Sequence, residues 1–204
     1  MNNAAEFEAA LPEPYTILGL RLLPLSLGRY RLLKRFECPF VADEQKEISI
    51  QELTNELFFA LLVCGFKVAE FKALLNNDRK FKKEARRFGN VANKIIKRTK
   101  GFNILEHFNA FKRYLDAHSK TPWVILSSQN QTDTSMAHWS TSMENMLSAK
   151  LNWSEQRIDE APLAEAQMHF FKYAESEGLV KLYDCDAYEA MQGEAQANGA
   201  ALWG

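Results

Sequence analysis

Apolar positions are densest between residues 16 and 66, and their spacing changes several times along that stretch. Residues 15–23 are predicted to pair as a short strand, interrupted by Gly19 and a run of leucines. Pro24 breaks the chain, and Ser26 is placed to cap a helix over 27–36. Leu27, Tyr30, Leu33 and Phe36 fall on one face of that helix, with Arg29, Arg31, Lys34 and Arg35 around the rest, and Cys38-Pro39 stops it. Ser49-Ile50-Gln51-Glu52 is a capping box. The helix behind it presents Ile50, Leu53, Leu57, Phe58, Leu61 and Leu62 as an apolar face and closes at Gly65. A short helix over 68–75 follows and ends at Asn76-Asn77.

The period then lengthens into one long element. From Asp78 to about residue 100, Phe81, Ala85, Phe88, Ala92, Ile95 and Ile96 recur every three or four positions, surrounded by cations. Gly89 is its weak point, costing about 1 kcal/mol relative to alanine in an exposed helix interior. Gly101 separates it from a helix over 103–118, where Asn103 with Glu106 repeats the capping-box logic and Ile104, Leu105, Phe108, Phe111 and Leu115 form the buried face.

Pro122 opens a change of texture. Residues 123–126 are expected to be extended, and the polar run 127–134 reads as a loop. Helices are predicted over 137–147, over a short stretch at 154–158, and over 163–177, with Pro162 in the first turn of the last and Gly178 ending it. A short strand over 179–183 and a weak helix over 186–196 complete the chain, between a loose lead-in at 1–14 and a frayed end bearing Trp203.

These elements predict a mainly α protein, a compact helical domain with a short N-terminal β element and a smaller helical C-terminal region. Residues 1–120 are expected to form a helical core domain with a basic middle. Residues 121–134 would be a polar linker, and 135–204 an acidic helical C-terminal region. Few glycines (9) and prolines (6) beside 14 phenylalanines favour long helices over a turn-rich β fold.

Charge changes the picture. The net formal charge is −1, yet residues 1–66 carry 6 basic and 9 acidic side chains, 67–120 carry 15 and 5, and 121–204 carry 4 and 12. A basic middle between acidic flanks either attracts an acidic partner or is neutralised internally by the tail. No apolar run approaches the roughly 20 residues that span a bilayer, and the acidic first ten residues do not read as a signal peptide, so no membrane is expected. Cys38, Cys64 and Cys185, odd in number and far apart, read as reduced thiols of a cytoplasmic protein.

Catalytic signatures are absent: there is no Gly-rich phosphate loop, GxSxG elbow, HExxH or CxxC. His107, His118, His138 and His169 lack metal-ligand spacing. Glu165 and His169, four apart on one helix, form either two ligands of a metal or a plain surface pair. Asp184 and Asp186 around Cys185 read as capping groups. The chain therefore reads as a non-enzyme with no cofactor. Arg79, Lys80, Lys82, Lys83, Arg86, Arg87, Lys94, Lys97, Arg98 and Lys100 suit phosphate contacts along a nucleic acid, although Phe81 and Phe88 fall at core spacing. The other readings of that face are a solvated surface or a dock for an acidic protein. Met136, Trp139, Met143, Met146 and Trp153 form either an adaptable apolar groove for a partner or ordinary core.

The run from Ile17 through Pro24-Leu25-Ser26-Leu27-Gly28, followed by Leu32-Leu33 and Pro39-Phe40, resembles the opening of tail assembly chaperones of long-tailed bacteriophages. The stretch Trp153-Ser154, Ile158-Asp159, Pro162-Leu163-Ala164-Glu165-Ala166, Tyr173 and Glu177-Gly178 is similar to their C-terminal pattern. The resemblance implies a non-catalytic assembly factor in the cytoplasm of an infected bacterial host. Its partner would be the long, helical tape measure protein, kept soluble during tail assembly, with self-association around that partner. An unassembled tape measure exposes extended apolar stripes that need reversible cover.

Overall fold

The computed structural model describes residues 15–42, 48–99, 103–119, 123–127 and 139–184. The lead-in 1–14, Lys100, the loop residues 128–134, Met136, His138, Cys185, Asp186, the helix predicted over 186–196 and Trp203 lie outside these residues. The described residues are mainly helical, with eight helices and two small antiparallel sheets.

The N-terminal β element is a tight hairpin. Thr16–Ile17 (β1) pairs with Leu20–Arg21 (β2), Ile17 standing opposite Leu20. Leu18 and Gly19 between them have φ values of 50° and 75°, the two successive positive values that a two-residue hairpin turn needs. Leucine rarely adopts such a backbone, and complete burial of its side chain offsets the strain. Gly19 has a second reason to be glycine: a Cβ there would stand 2.6 Å from Ile95 Cδ1.

Leu27–Arg35 (α1) starts at Ser26, whose hydroxyl accepts from the Arg29 amide. Its buried side is Leu27, Gly28, Arg29, Leu32 and Leu33. The expected apolar face is therefore rotated: Phe36 ends up exposed beyond the last turn, while Arg29 turns inward. Ile50–Gly65 (α2) opens on the predicted capping box, with Ser49 Oγ accepting from Glu52 N and Glu52 Oε2 accepting from Ser49 N at 2.8 Å. Its C-terminal half, from Leu57, is enclosed, whereas Ile50 remains 66% exposed. A Cβ at Gly65 would meet Leu20 Cδ2 at 2.7 Å, so the Leu20 side chain would have to shift to admit one.

Val68–Leu75 (α3) and Asp78–Arg98 (α4) follow, the latter capped by Asn77, whose side chain accepts from Lys80 N. The apolar stripe of α4 packs as its period predicted: Phe88 and Ala92 are buried, with Phe81, Ala85 and Ile96 half-buried against the core. Ile104–Ser119 (α5) buries Phe108, Phe111, Tyr114, Leu115 and His118. Leu105, expected inside, is exposed. Tyr114 takes an interior place because its hydroxyl has an acceptor there, Leu23 O at 2.8 Å.

Trp123–Ser127 (β3) pairs antiparallel with Val180–Asp184 (β4), with Trp123 opposite Asp184. Between them in sequence lie Trp139–Leu151 (α6), Glu155–Glu160 (α7, capped by Ser154) and Leu163–Ser176 (α8). Pro162 stands just before α8, its carbonyl accepting from Ala166 N, so it caps the helix instead of occupying the first turn. Gly178 follows with φ 71°, the left-handed residue that ends a helix. Leu25, Leu61 and Phe111 share one continuous buried cluster with Met143, Leu147 and Leu163.

Candidate functional site

Among the described residues two regions concentrate polar side chains: a clasp joining residues 24–29 to 159–163, and the solvent side of α4. The clasp begins with backbone. Leu163 N donates to Leu25 O at 2.7 Å and Leu27 N to Ala161 O at 3.4 Å, so Ser26 and Pro162 form an antiparallel bridge. Ser26 Oγ donates to Asp159 O at 2.6 Å while accepting from Arg29, so one hydroxyl caps α1 and ties it to α7. Gly28 approaches so closely that a Cβ would lie 2.7 Å from Asp159 O.

Arg29 runs through the middle of this clasp, 2% exposed. Its Nε donates to Phe66 O at 3.0 Å, Nη1 to Pro24 O at 3.2 Å and Ser26 Oγ at 3.0 Å, and Nη2 to Glu160 Oε2 at 2.8 Å. The other Glu160 oxygen accepts from Val68 N at 2.7 Å, at the first turn of α3, where a carboxylate also favours the helix dipole. Lys72 Nζ closes the set on Asp159 Oδ2 at 2.6 Å. A buried guanidinium is tolerated when its donors are satisfied in this way. Its partners come from three separate stretches of chain, so the clasp is architectural.

On α4 the nine predicted cations from Arg79 to Arg98 are all exposed. The ion pairs they form among the described residues are local, Lys82 with Asp78 at 2.7 Å and Arg87 with Glu84 at 3.5 Å. The described acids of the C-terminal region bind elsewhere: Glu144 to Arg31, Asp159 to Lys72, Glu160 to Arg29 and Glu165 to Arg157. None of these pairs reaches α4. Its solvent side forms an open trough of about 660 Å³ between Arg79 and Lys94, in which Asn90 and Val91 are the uncharged members. Phe81 and Phe88 face inward, their rings meeting Phe71 at 6.3 Å and Phe58 at 5.6 Å.

Of the two readings of Met143, Met146 and Trp153, an adaptable groove or ordinary core, the structure has the core. All three side chains are buried in the core, and Trp153 is further covered by the Arg157 guanidinium, 4.0 Å from its ring, and by the His169 ring at 5.1 Å. Trp139 begins α6, and Met136 is outside the described residues. The physical reason is that α6 packs on α8 and carries these methionines into the shared interior.

Glu165 and His169 also turn to different partners, Glu165 to Arg157 at 3.6 Å and His169 to Trp153. Among the described residues no group of three or more His, Cys, Asp or Glu side chains is placed to hold a metal. Desolvation favours the neutral form of the buried thiols, of the Tyr114 phenol and of His118. The Cys38 and Cys64 thiols are each pushed up to about 12, and the Tyr114 phenol is raised well above 10.0. Burial lowers His107, His118 and His169 below the ordinary 6.5. His118 Nδ1 lies 2.8 Å from Tyr114 O, which accepts, so that nitrogen carries the ring proton.

Of the clasp residues, Asp159 was singled out in the sequence only as part of the C-terminal pattern, and Arg29, Lys72 and Glu160 were not singled out as a site. Arg29 looks like one of four solvated cations on α1, and its partners at Phe66 and Glu160 lie 37 and 131 positions away. Among the described residues no helix is long and apolar enough to cross a membrane. Comparison with known proteins finds no match to this chain among family models, curated proteins or solved structures.

Proposed function

We propose that this protein is a non-catalytic assembly chaperone that binds and solubilises the tape measure protein of a long-tailed bacteriophage in the cytoplasm of the infected host. The observation that carries this reading is the clasp. The two stretches that resemble tail assembly chaperones, around Pro24–Gly28 and Asp159–Leu163, are far apart in sequence yet meet through Ser26, Gly28 and Arg29. Two distant patterns that touch constrain each other, which accounts for their occurring together in one chain.

The interior supports a binding role in another way. Its titratable groups serve structural bonds, Tyr114 to Leu23 O and His118 to Tyr114 O, and the buried thiols are held protonated. Cover for a helical partner then falls to apolar side chains left open to solvent, among them Phe36, Ile50 and Leu105.

The test is co-expression with the tape measure protein of the same phage. A soluble complex, recovered after nuclease treatment and larger than either chain alone, is the expected result. A tape measure that stays insoluble with or without this chain would overturn the reading.

A further inference from the structure

We propose that the solvent side of α4 binds the phosphate backbone of duplex DNA, a second activity beyond covering a tape measure protein. The argument starts from the distribution of charge around the helix. α4 has nine cations and two acids. At 100° per residue both acids, Asp78 and Glu84, fall beside the buried stripe. An arc of about 160°, from Lys82 round to Lys80, then holds no carboxylate. Lys83, Arg86, Arg87 and Lys94 lie within it, with the uncharged Asn90 at its centre. Among the described acids of the C-terminal region, Glu160, Glu144 and Asp159 are engaged at Arg29, Arg31 and Lys72, away from this arc.

Shape selects among polyanions. The 21 residues of α4 extend about 31 Å at 1.5 Å per residue, close to one turn of B-form DNA. The B-form major groove admits a helix, with phosphates along both of its edges, where the flanking cations of the arc would lie. The deep, narrow major groove of A-form RNA does not admit one. Single strands are held largely by stacking on aromatic side chains, and Phe81 and Phe88 are committed to Phe71 and Phe58. An acidic peptide would gain only exposed ion pairs, each worth little, whereas every phosphate contact also releases condensed counterions.

The experiment uses the full chain and a fluorescein-labelled random-sequence DNA duplex two helical turns long, read by anisotropy. Binding should weaken by about two to three orders of magnitude between about 50 and about 200 mM salt, the dependence set by about five phosphate contacts. Reversing Lys83, Arg86, Arg87 and Lys94 to Glu should abolish binding while leaving the circular dichroism spectrum and the urea midpoint in place, because these side chains are exposed. Reversing the exposed Lys112 and Lys150 should leave binding unchanged. No duplex binding at low salt overturns the proposal. So does binding indifferent to the α4 reversal, or single-stranded RNA or polyglutamate competing as well as the duplex does. Tape measure solubility is scored separately, so failure here leaves the chaperone reading to its own test.

Discussion

Arg29 of α1 and Glu160 of α7 meet at 2.8 Å across 131 positions of sequence, the guanidinium buried and the carboxylate partly open. The pair joins the N-terminal turn to the helix before Pro162 and, through the second carboxylate oxygen, to the start of α3. Removing the cation leaves the Pro24 and Phe66 carbonyls without this donor. Arg29→Met is expected to cost about 3–5 kcal/mol in urea unfolding, and Glu160→Gln less, because the amide oxygen still accepts from one of the two donors while its NH2 faces the other. A double-mutant cycle should return a coupling of about 1–3 kcal/mol. A coupling near zero would show that the two groups are held apart in solution.

Gly28 and Gly89 test close approach against helix propensity. Alanine at Gly28 drives a Cβ against the backbone of Asp159, and a cost of about 2–3 kcal/mol is expected, as for other overpacked sites. Alanine at Gly89 meets nothing within 4 Å and should stabilise the protein by about 0.5–1 kcal/mol. Equal thermal midpoints for the two variants would contradict both assignments.

The Tyr114 hydroxyl donates to Leu23 O and is also hydrogen-bonded with the Cys64 thiol, while Tyr15 packs edge-on against its ring at 5.6 Å and Phe111 stacks at 5.5 Å. Tyr114→Phe keeps the ring and orphans the Leu23 carbonyl on that side, so a loss of about 1–2 kcal/mol is expected in urea titration, with the helical signal retained. No loss at all would mean that water replaces the hydroxyl.

Cys38 and Cys64 are buried and their thiols are pushed up to about 12, so little thiolate forms near neutral pH. In a Cys185→Ser background, a thiol reagent should label neither site in the native protein and both after denaturation. Rapid labelling of the native form would place one of them at the surface.

His118 gives the pH dependence its sign. Its folded-state value lies below the ordinary 6.5, mainly through burial, and His107 and His169 shift the same way. The unfolded chain therefore takes up these protons first as the pH falls through 6.5. Their contribution to stability is whole above 6.5 and is lost progressively as the pH falls through the lowered values. The urea midpoint should be lower at about pH 5 than at about pH 7.5, and His118→Phe should flatten part of that slope. A slope unchanged in the variant would assign the effect to other groups.

Local structure was legible in the sequence wherever its cause is local. Ser26 and Ser49 stand at the helix starts they are expected to cap, because a cap bond reaches only two or three residues ahead. The stripe of α4 was equally readable, since a helix places Phe81, Phe88 and Ala92 on one side whatever it packs against. The segregation of charge needed no structure at all. Which face turns inward on α1, by contrast, was decided by tertiary contacts: Arg29 finds acceptors from Pro24, Phe66 and Glu160, while Phe36 passes beyond the last turn into solvent. The same holds for Tyr114 taking the interior place expected of Leu105, for Met143, Met146 and Trp153 filling the core, and for β3 pairing with β4. Periodicity and capping depend on neighbours within about four positions. The enclosure of a polar group depends on which distant segments bring it a partner, and that is settled only when the chain has closed on itself.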